Sequence, residues 1–265
     1  MMSIAGYAAM ALVGVSLGII GAGGSILTVP ILVYLFELPS SVATGYSLGI
    51  VGSTAIVALI QYARKKLVQW PMTVRFVPAS ICGVLIARKM LIPAIPDVIY
   101  HADQFQLTRD LLIMAVFAGV MIKAAISMIK PANLNSDNKT KGPMREITVA
   151  VVIGVVTGFV GAGGGFLIIP ALVNIMGVPM AAAVGTSLFI IAVNSISGFV
   201  AVVGGATDVP WSLLISLAGI GCLTAAISSQ FAHRIDQSKL KKFFGWFVFG
   251  MGIFILYEQL HRMGG

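Results

Sequence analysis

The sequence predicts an all-α membrane protein that crosses the bilayer several times and is built from two homologous repeats. Hydrophobic residues make up 58% of its 265 positions and charged residues only 10%, and the mean hydropathy is +1.00. A water-soluble domain of this size has too little interior to bury so much apolar surface. Long runs without a charged residue and an internal repetition of the sequence indicate the same fold class.

The charge-free runs predict transmembrane helices. They cover residues 1–36, 38–63, 147–207 and 209–232. About 20 apolar residues in a helix cross the hydrocarbon core of a bilayer, and helices satisfy their own backbone groups there. The first run has no basic residues before it and is far longer than the apolar part of a signal peptide, so we expect it to remain in the protein.

An internal repeat relates the two halves of the chain at an offset of 140 residues. The segment GVSLGIIGAGGSILTVP at 14–30 aligns with GVVTGFVGAGGGFLIIP at 154–170. The alignment continues without a gap to residues 50 and 190 and keeps Ser47 and Ser187 in register. Two segments that share glycines, prolines and serines in one register predict a duplicated unit.

The duplication divides the chain into a first membrane repeat at 1–130, a polar linker at 131–145 and a second membrane repeat at 146–265. Each repeat is predicted to contain a glycine-broken or re-entrant helical segment and then three transmembrane helices. The predicted broken segments are 4–36 and 147–176. The helices predicted after them are 41–63, 72–91 and 111–129 in the first repeat, and 181–203, 211–232 and 241–260 in the second.

The distribution of charged residues predicts the topology. Basic residues gather in the loop 64–66, in the linker and in the loop 234–242, whereas 92–110 and 204–210 carry acidic residues. The basic loops are expected in the cytoplasm, and they account for the net charge of +8 without nucleic-acid binding. The count of crossings then places the N-terminus outside and makes the repeats inverted. Parallel repeats with eight single crossings remain the alternative.

The two GAGG sequences predict interruptions of the first helix of each repeat. In a helix interior each glycine costs about 1 kcal/mol relative to alanine, and proline about 3 kcal/mol. Helices that restart near Ser25 and Gly165 would direct free N–H groups into the membrane interior. Two such ends at the repeat interface would bind an anion. The residues predicted to bind it are Gly21, Gly23, Gly24, Ser25, Ser47, Gly161, Gly163, Gly164, Gly165, Ser187 and Asn194.

Other small and polar residues have competing interpretations. Gly14 with Gly18, and Gly154 with Gly158, form GxxxG pairs that predict close helix packing. The hydroxyl groups of Thr44, Ser53, Thr54, Thr186 and Ser195, like those of Ser47 and Ser187, can contact a ligand or bond to the preceding helical turn. Asn194 favours a ligand, since an idle amide is costlier to bury. Glu37, whose counterpart is Gly177, is either a proton-coupling group or an interfacial carboxylate.

The charged and reactive residues in and beside the apolar segments do not predict a catalytic site. Arg75, Arg88, Lys89 and Lys123 are expected to extend towards lipid headgroups. Cys82 and Cys222 lie in apolar segments without a neighbouring base, so no nucleophilic site is predicted. The sequence therefore predicts a protein that is not an enzyme and that uses no cofactor or metal.

The paired Gly-x-Gly-Gly blocks resemble those of the sulfite exporter TauE/SafE family. In both halves the block precedes a proline, a proline-containing turn and a Gly-x-Ser helix, and the resemblance spans essentially the whole chain. It implies a multi-pass transporter of the prokaryotic plasma membrane that carries small sulfur-containing or organic anions such as sulfite or sulfoacetate. We therefore expect a secondary transporter, and more specifically an exporter, that works by alternating access with protons as a candidate coupling ion. An anion channel, an intramembrane enzyme and a membrane scaffold are the alternatives.

Overall fold

Helices make up nearly all of the described structure. The computed structural model describes residues 2–21, 24–102, 105–129, 143–161, 164–204, 209–231 and 237–264. The first half contains α1 (Met2–Ile20), α2 (Ser25–Tyr34), α3 (Ser40–Arg64), α4 (Trp70–Ile86) with a π-helical continuation (Ala87–Leu91), the single turn α5 (Ile92–Ala94) and α6 (Arg109–Ile129). The second half contains α7 (Pro143–Val160), α8 (Gly165–Pro170) with a π-helical continuation (Ala171–Ile175), α9 (Met180–Val203), α10 (Trp211–Phe231) and α11 (Gln237–Gly264).

The helices confirm the predicted polytopic, all-α fold. Five helical segments in the described part of the chain are long and apolar enough to cross a membrane, namely α3, Trp70–Ala94, Arg109–Ser127, α9 and α10. The described apolar part of α11 is shorter, Val248–Gln259. Large apolar side chains such as Ile215, Leu223 and Ile227 on α10 are exposed. In a membrane such a surface faces lipid chains, whereas in water it would favour aggregation.

A short β-hairpin follows α5 in a region predicted only as a loop. Strands β1 (Val98–Ala102) and β2 (Phe105–Thr108) pair antiparallel. Arg109 closes the open end of the hairpin. Its guanidinium lies 2.6 Å from the Asp97 carboxylate, and its backbone N–H donates to the Asp97 carbonyl. The sequence signal was weak, since a two-stranded ribbon of this length depends on such contacts with neighbouring elements.

The first broken segment folds back on itself. Gly21 has a φ of 84°, which reverses the chain after α1. Gly24 then lies against α1, where a Cβ atom would be 2.8 Å from the Leu17 nitrogen. Beyond α2, the ring of Phe36 packs edge-on against Tyr7 with 5.8 Å between ring centroids. The end of α2 therefore returns to the beginning of α1, and the two helices form a hairpin.

The second broken segment has the same form. Gly161 and Gly164 have φ values of 76° and 67°, and a Cβ atom on Gly164 would lie 2.9 Å from that of Thr157 in α7. Residues of α7 and α8 line a shared apolar cavity of about 470 Å³, so α8 lies beside α7. As predicted, the helices restart at Ser25 and Gly165.

Helices from the two halves pack on each other in reciprocal pairs. Helix α1 packs on α10, and its counterpart α7 packs on α4, the counterpart of α10. A Cβ on Gly14 would lie 3.0 Å from the Gly221 Cα atom, and one on Gly158 would lie 2.9 Å from the Ala87 Cβ atom. A Cβ on Gly18 would lie 3.0 Å from the Ser229 nitrogen, and one on Gly154 2.9 Å from the Ser80 Cα atom. The GxxxG pairs therefore serve close helix packing, as predicted.

The centre of the protein is the antiparallel pair of α3 and α9. Glycines at positions 45, 49 and 52 of α3 approach positions 202, 199 and 195 of α9, respectively. The two helices therefore run in opposite directions. Helices α2 and α8 also contact each other beside this pair. The two helical hairpins thus flank a common central pair of helices.

Candidate functional site

The first break packs against α9 of the other half. A Cβ atom on Gly21 would lie 2.5 Å from Val184 Cγ1, so only glycine allows this approach. At the end of α1, the hydroxyl group of Tyr62 donates to the carbonyls of Gly18 and Ile19, at 3.2 and 3.1 Å. Tyr62 therefore satisfies carbonyl groups that the end of the helix leaves free. Gly24 and the buried Ser25 begin α2, and Gly23 lies outside the described residues.

The second break packs against α3 in the corresponding way. A Cβ atom on Gly161 would lie 2.5 Å from the Thr44 Cα atom and would overlap the Thr44 carbonyl. The buried hydroxyl group of Ser47 donates to the Gly161 carbonyl at 2.5 Å and also contacts the Thr44 carbonyl at 3.0 Å. Gly164 and Gly165 are buried where α8 begins, and Gly163 lies outside the described residues. Thr44 and Val184 occupy equivalent positions, so each break contacts the same position of the opposite repeat.

Arg88 is buried beside the second break, which corrects the expectation that it extends to the headgroups. Its exposed fraction is 8%. Its Nη2 donates to the Thr44 carbonyl at 2.7 Å, and its Nη1 lies 3.4 Å from Thr44 Oγ1. The correction has a physical reason, because α7 and α9 both contact the π-helical segment that carries Arg88. Lys89 and Lys123 are exposed, and their extension to the headgroups stays a prediction.

Arg75, the remaining basic residue near the ends of α4, is half-exposed and pairs with Glu146 at 3.2 Å.

Arg88 has no counterpart in the second half, where Ser228 occupies the equivalent position. The sequence carried one clue to Arg88, since it lies within a long apolar segment rather than beyond its end.

The two breaks lie at opposite ends of α3. Thr44 contacts the second break and Tyr62 contacts the end of α1, and 18 residues separate them, or about 27 Å of helix. This geometry corrects the prediction that both breaks enclose one binding site. The reason is the length of α1, whose 19 residues span about 28 Å and carry Gly21 almost across the protein.

Ser187 and Asn194 lie apart from the second break. The hydroxyl group of Ser187 lies beside the first break and donates to the Val184 carbonyl of its own helix at 2.8 Å. Asn194 lies seven residues beyond Ser187 along α9, where its Oδ1 accepts a hydrogen bond from Ser80 at 2.9 Å. Its Nδ2 and the hydroxyl group of Ser195 have no partner among the described residues. A third polar cluster therefore lies between the two breaks, at Asn194.

The other hydroxyl groups mostly bond to backbone groups. Ser53 and Thr54 each donate to the carbonyl of Ile50, and Thr44 donates to the Ser41 carbonyl at 3.0 Å. Thr186 accepts a hydrogen bond from the Gln69 N–H at 3.0 Å. Ser53, Thr54 and Thr44 follow the structural interpretation, in which a hydroxyl group in an apolar helix bonds to the preceding turn. Thr186 instead joins α9 to the start of α4.

Glu37 lines a polar cavity near the second break. It is exposed and has a φ of 56°, while the equivalent Gly177 has a φ of 68°. The cavity has a volume of about 680 Å³, and its lining includes Glu37, Ser40 and Asp110. Asp110 accepts the N–H of Ser41 at 2.9 Å, one helical turn before Thr44. A coupling role for Glu37 stays a prediction.

The sequence that forms the two breaks and the central helix pair matches a known protein family. The family model for the sulfite exporter TauE/SafE matches residues 7–255. The chain belongs to the sulfite exporter TauE/SafE family. The match covers both breaks, all three polar clusters and nearly all of both repeats, so this TauE/SafE protein is a membrane transporter.

Curated relatives of this TauE/SafE protein are also named as membrane transporters. A probable membrane transporter protein of Xylella fastidiosa (strain Temecula1) is 30% identical over 253 residues, which cover 94% of this chain and 92% of the relative. The probable membrane transporter protein YunE of Bacillus subtilis is 26% identical over 204 residues, which cover 69% and 71%. A probable membrane transporter protein of Haemophilus influenzae is 24% identical over 267 residues, which cover 92% and 94%. No solved structure shows significant similarity to this TauE/SafE protein.

Proposed function

We propose that this protein is a secondary transporter that exports small sulfur-containing or organic anions, such as sulfite or sulfoacetate, across the prokaryotic plasma membrane by alternating access. The proposal rests on the reciprocal packing of the two breaks. Gly21 closes against Val184 at one end of the central pair, and Gly161 closes against Thr44 at the other. Each contact joins a re-entrant hairpin of one repeat to a helix of the other, so a relative movement of the repeats opens one contact while the other stays closed.

Polar groups follow the central helix pair between these two contacts. Arg88, Thr44 and Ser47 lie at one end, Asn194 and Ser80 lie between, and Ser25, Tyr62 and Ser187 lie at the other end. A small anion that moves along α3 and α9 would meet hydrogen-bond donors at each stage. Such groups are costly to bury in a membrane protein unless they serve a pathway or each other.

Contacts at the helix ends support inverted repeats. On one face of the protein, Arg75 near the beginning of α4 pairs with Glu146 near the beginning of α7. The other face joins the beginnings of α1 and α10 through Tyr7 and Ser216, whose oxygens are 3.2 Å apart. Each half then contributes one hairpin and three crossings, an odd number, so the second half begins on the opposite side. Exposed Arg64, Lys65 and Lys66 favour the cytoplasm for their face, which leaves the N-terminus outside and the second break near the outer surface.

The equivalent turns at Glu37 and Gly177 test the inversion. Both residues are exposed and both have positive φ, so a cysteine at either position meets the same backbone strain. In a variant with Cys82 and Cys222 replaced by serine, we expect Glu37→Cys to react with an impermeant maleimide added outside spheroplasts. Gly177→Cys should react only after permeabilisation. Labelling of both from the same side would support parallel repeats instead.

Transport itself is tested with purified protein in proteoliposomes. Uptake and efflux of labelled sulfite, sulfoacetate and a carboxylate are measured with an imposed proton gradient, a sodium gradient or neither. We expect saturable flux that a proton gradient accelerates. Flux that does not saturate and does not respond to either gradient would favour an anion channel. No flux of any of these anions would overturn the proposal, and chemical conversion of the substrate would favour an enzyme.

A further inference from the structure

We propose that Arg88 is the counter-charge for the transported anion and that it makes the second break selective for singly charged anions. This inference rests on the proposed transport function and narrows its substrate class. It favours hydrogen sulfite, monovalent sulfonates and carboxylates over dianions such as sulfate. It therefore removes sulfoacetate, a dianion at neutral pH, from the proposed substrates. Three observations carry it: the unneutralised charge of Arg88, a second unpartnered donor at the same break, and the asymmetry between the two repeats.

The guanidinium of Arg88 is buried without a negative partner. Its hydrogen bonds go to neutral atoms of Thr44, and its Nε has no hydrogen-bond partner among the described residues. No ion pair joins it to a carboxylate among the described residues. Glu146 pairs with Arg75 and Asp97 with Arg109, and Asp110 accepts the Ser41 N–H. A buried charge is costly unless an opposite charge compensates it. A bound anion would compensate the charge and accept a hydrogen bond from the free Nε.

A second unpartnered donor lies at the same break. The hydroxyl group of Thr157 is buried and has no partner among the described residues. Thr157 is near Gly164 and directly precedes Gly158, which packs on Ala87, the neighbour of Arg88. The segment Ala87–Leu91 is π-helical, a distortion that is frequent at functional sites because it redirects side chains. Arg88 and Thr157 therefore both lie beside the second break, Arg88 through Thr44 at Gly161 and Thr157 at Gly164.

The other repeat lacks this charge. Ser228 occupies the position equivalent to Arg88, within the regular helix α10. Its hydroxyl group lies 3.3 Å from the Ala225 carbonyl and 3.5 Å from that of Gly14. The first break thus has hydroxyl groups where the second has a cation. One buried positive charge neutralises one negative charge, and the second charge of a dianion would remain uncompensated in a low-dielectric site.

The test compares wild type with Arg88→Gln, Arg88→Lys and the matched control Lys89→Gln, which removes an exposed charge one residue away. Binding is measured as the rise in unfolding temperature of purified protein with methanesulfonate, hydrogen sulfite or sulfate. Transport is measured as KM and kcat for hydrogen sulfite flux in proteoliposomes. We expect wild type to prefer the monoanions and Arg88→Gln to raise KM at least about tenfold, as loss of a charge-assisted hydrogen bond does. Arg88→Lys should keep the preference for monoanions with weaker binding, and Lys89→Gln should match wild type.

Several outcomes would overturn the inference. Equal binding of sulfate and methanesulfonate by wild type would do so even if Arg88→Gln did not fold. Unchanged KM and selectivity in a folded Arg88→Gln variant would also do so, while leaving the transport proposal intact. Conversely, monoanion binding that depends on Arg88 without flux would keep the site and remove the transport proposal. Neither binding nor flux in wild type would remove both.

Discussion

Replacing Gly161 by alanine is expected to reduce anion flux more than tenfold, whereas Gly177→Ala should leave flux close to wild type. Both glycines have positive φ, so alanine costs about 1–2 kcal/mol of backbone strain at either position. Their surroundings differ. An alanine Cβ at 161 would lie 2.5 Å from the Thr44 Cα atom, whereas at 177 no atom lies within 4 Å.

The comparison isolates the contact between the second break and α3. Overlap with backbone atoms cannot be relieved by a rotamer change, so Gly161→Ala must displace the break from Thr44 and Arg88. Flux in proteoliposomes and unfolding temperature in detergent are measured for both variants. Ser47→Ala provides a milder variant, since it removes the hydroxyl contacts to the Gly161 and Thr44 carbonyls without adding an atom at the break. Equal flux in Gly161→Ala and Gly177→Ala would contradict a functional role for this contact.

The second large effect is expected on stability at the interface between α4 and α7. A Cβ atom on Gly154 would overlap the Ser80 carbonyl oxygen and lie 2.9 Å from its Cα atom. Gly154→Ala should therefore separate the two helices and lower the free energy of unfolding by about 1–3 kcal/mol, as overpacking does. This change outweighs the gain of about 1 kcal/mol from the better helix propensity of alanine.

Gly219 provides the matched control for Gly154. It also lies inside a helix, α10, but no atom lies within 4 Å of its added Cβ. Gly219→Ala should raise the free energy of unfolding by up to about 1 kcal/mol, because only helix propensity changes. Thermal and chemical unfolding in one detergent compare the two variants. A Gly154→Ala variant as stable as Gly219→Ala would show that the close approach of α4 and α7 is not required.

The sequence predicted the helices well because the signals for them are local. The end of α9 at Val203 coincides with the predicted end, and α2 and α8 restart at the predicted residues Ser25 and Gly165. Hydropathy over 20 residues identifies a span, and glycine before a proline marks a break wherever it lies. The β-hairpin at 98–108 escaped prediction because its stability depends on neighbouring elements rather than on its own pattern.

The candidate site was predicted only in part. Gly161 and Ser47 do meet at the second break, whereas Ser187 lies beside the first break and Asn194 belongs to a polar cluster between them. Equivalent positions in a duplicated sequence suggest a shared site, but symmetry alone does not give the distance between its copies. The length of α1 and α7 sets that distance, and it separates the breaks.

The sequence by itself determined that this protein is a membrane protein, where its helices lie, where two of them break, and which family it resembles. These properties depend on the composition and order of residues within one segment. Only the tertiary structure decided that the breaks lie at opposite ends of α3 and that Arg88 is buried beside one of them. The burial of a charged side chain depends on which other helices cover it, and that is a property of the packed fold rather than of the segment that carries the residue.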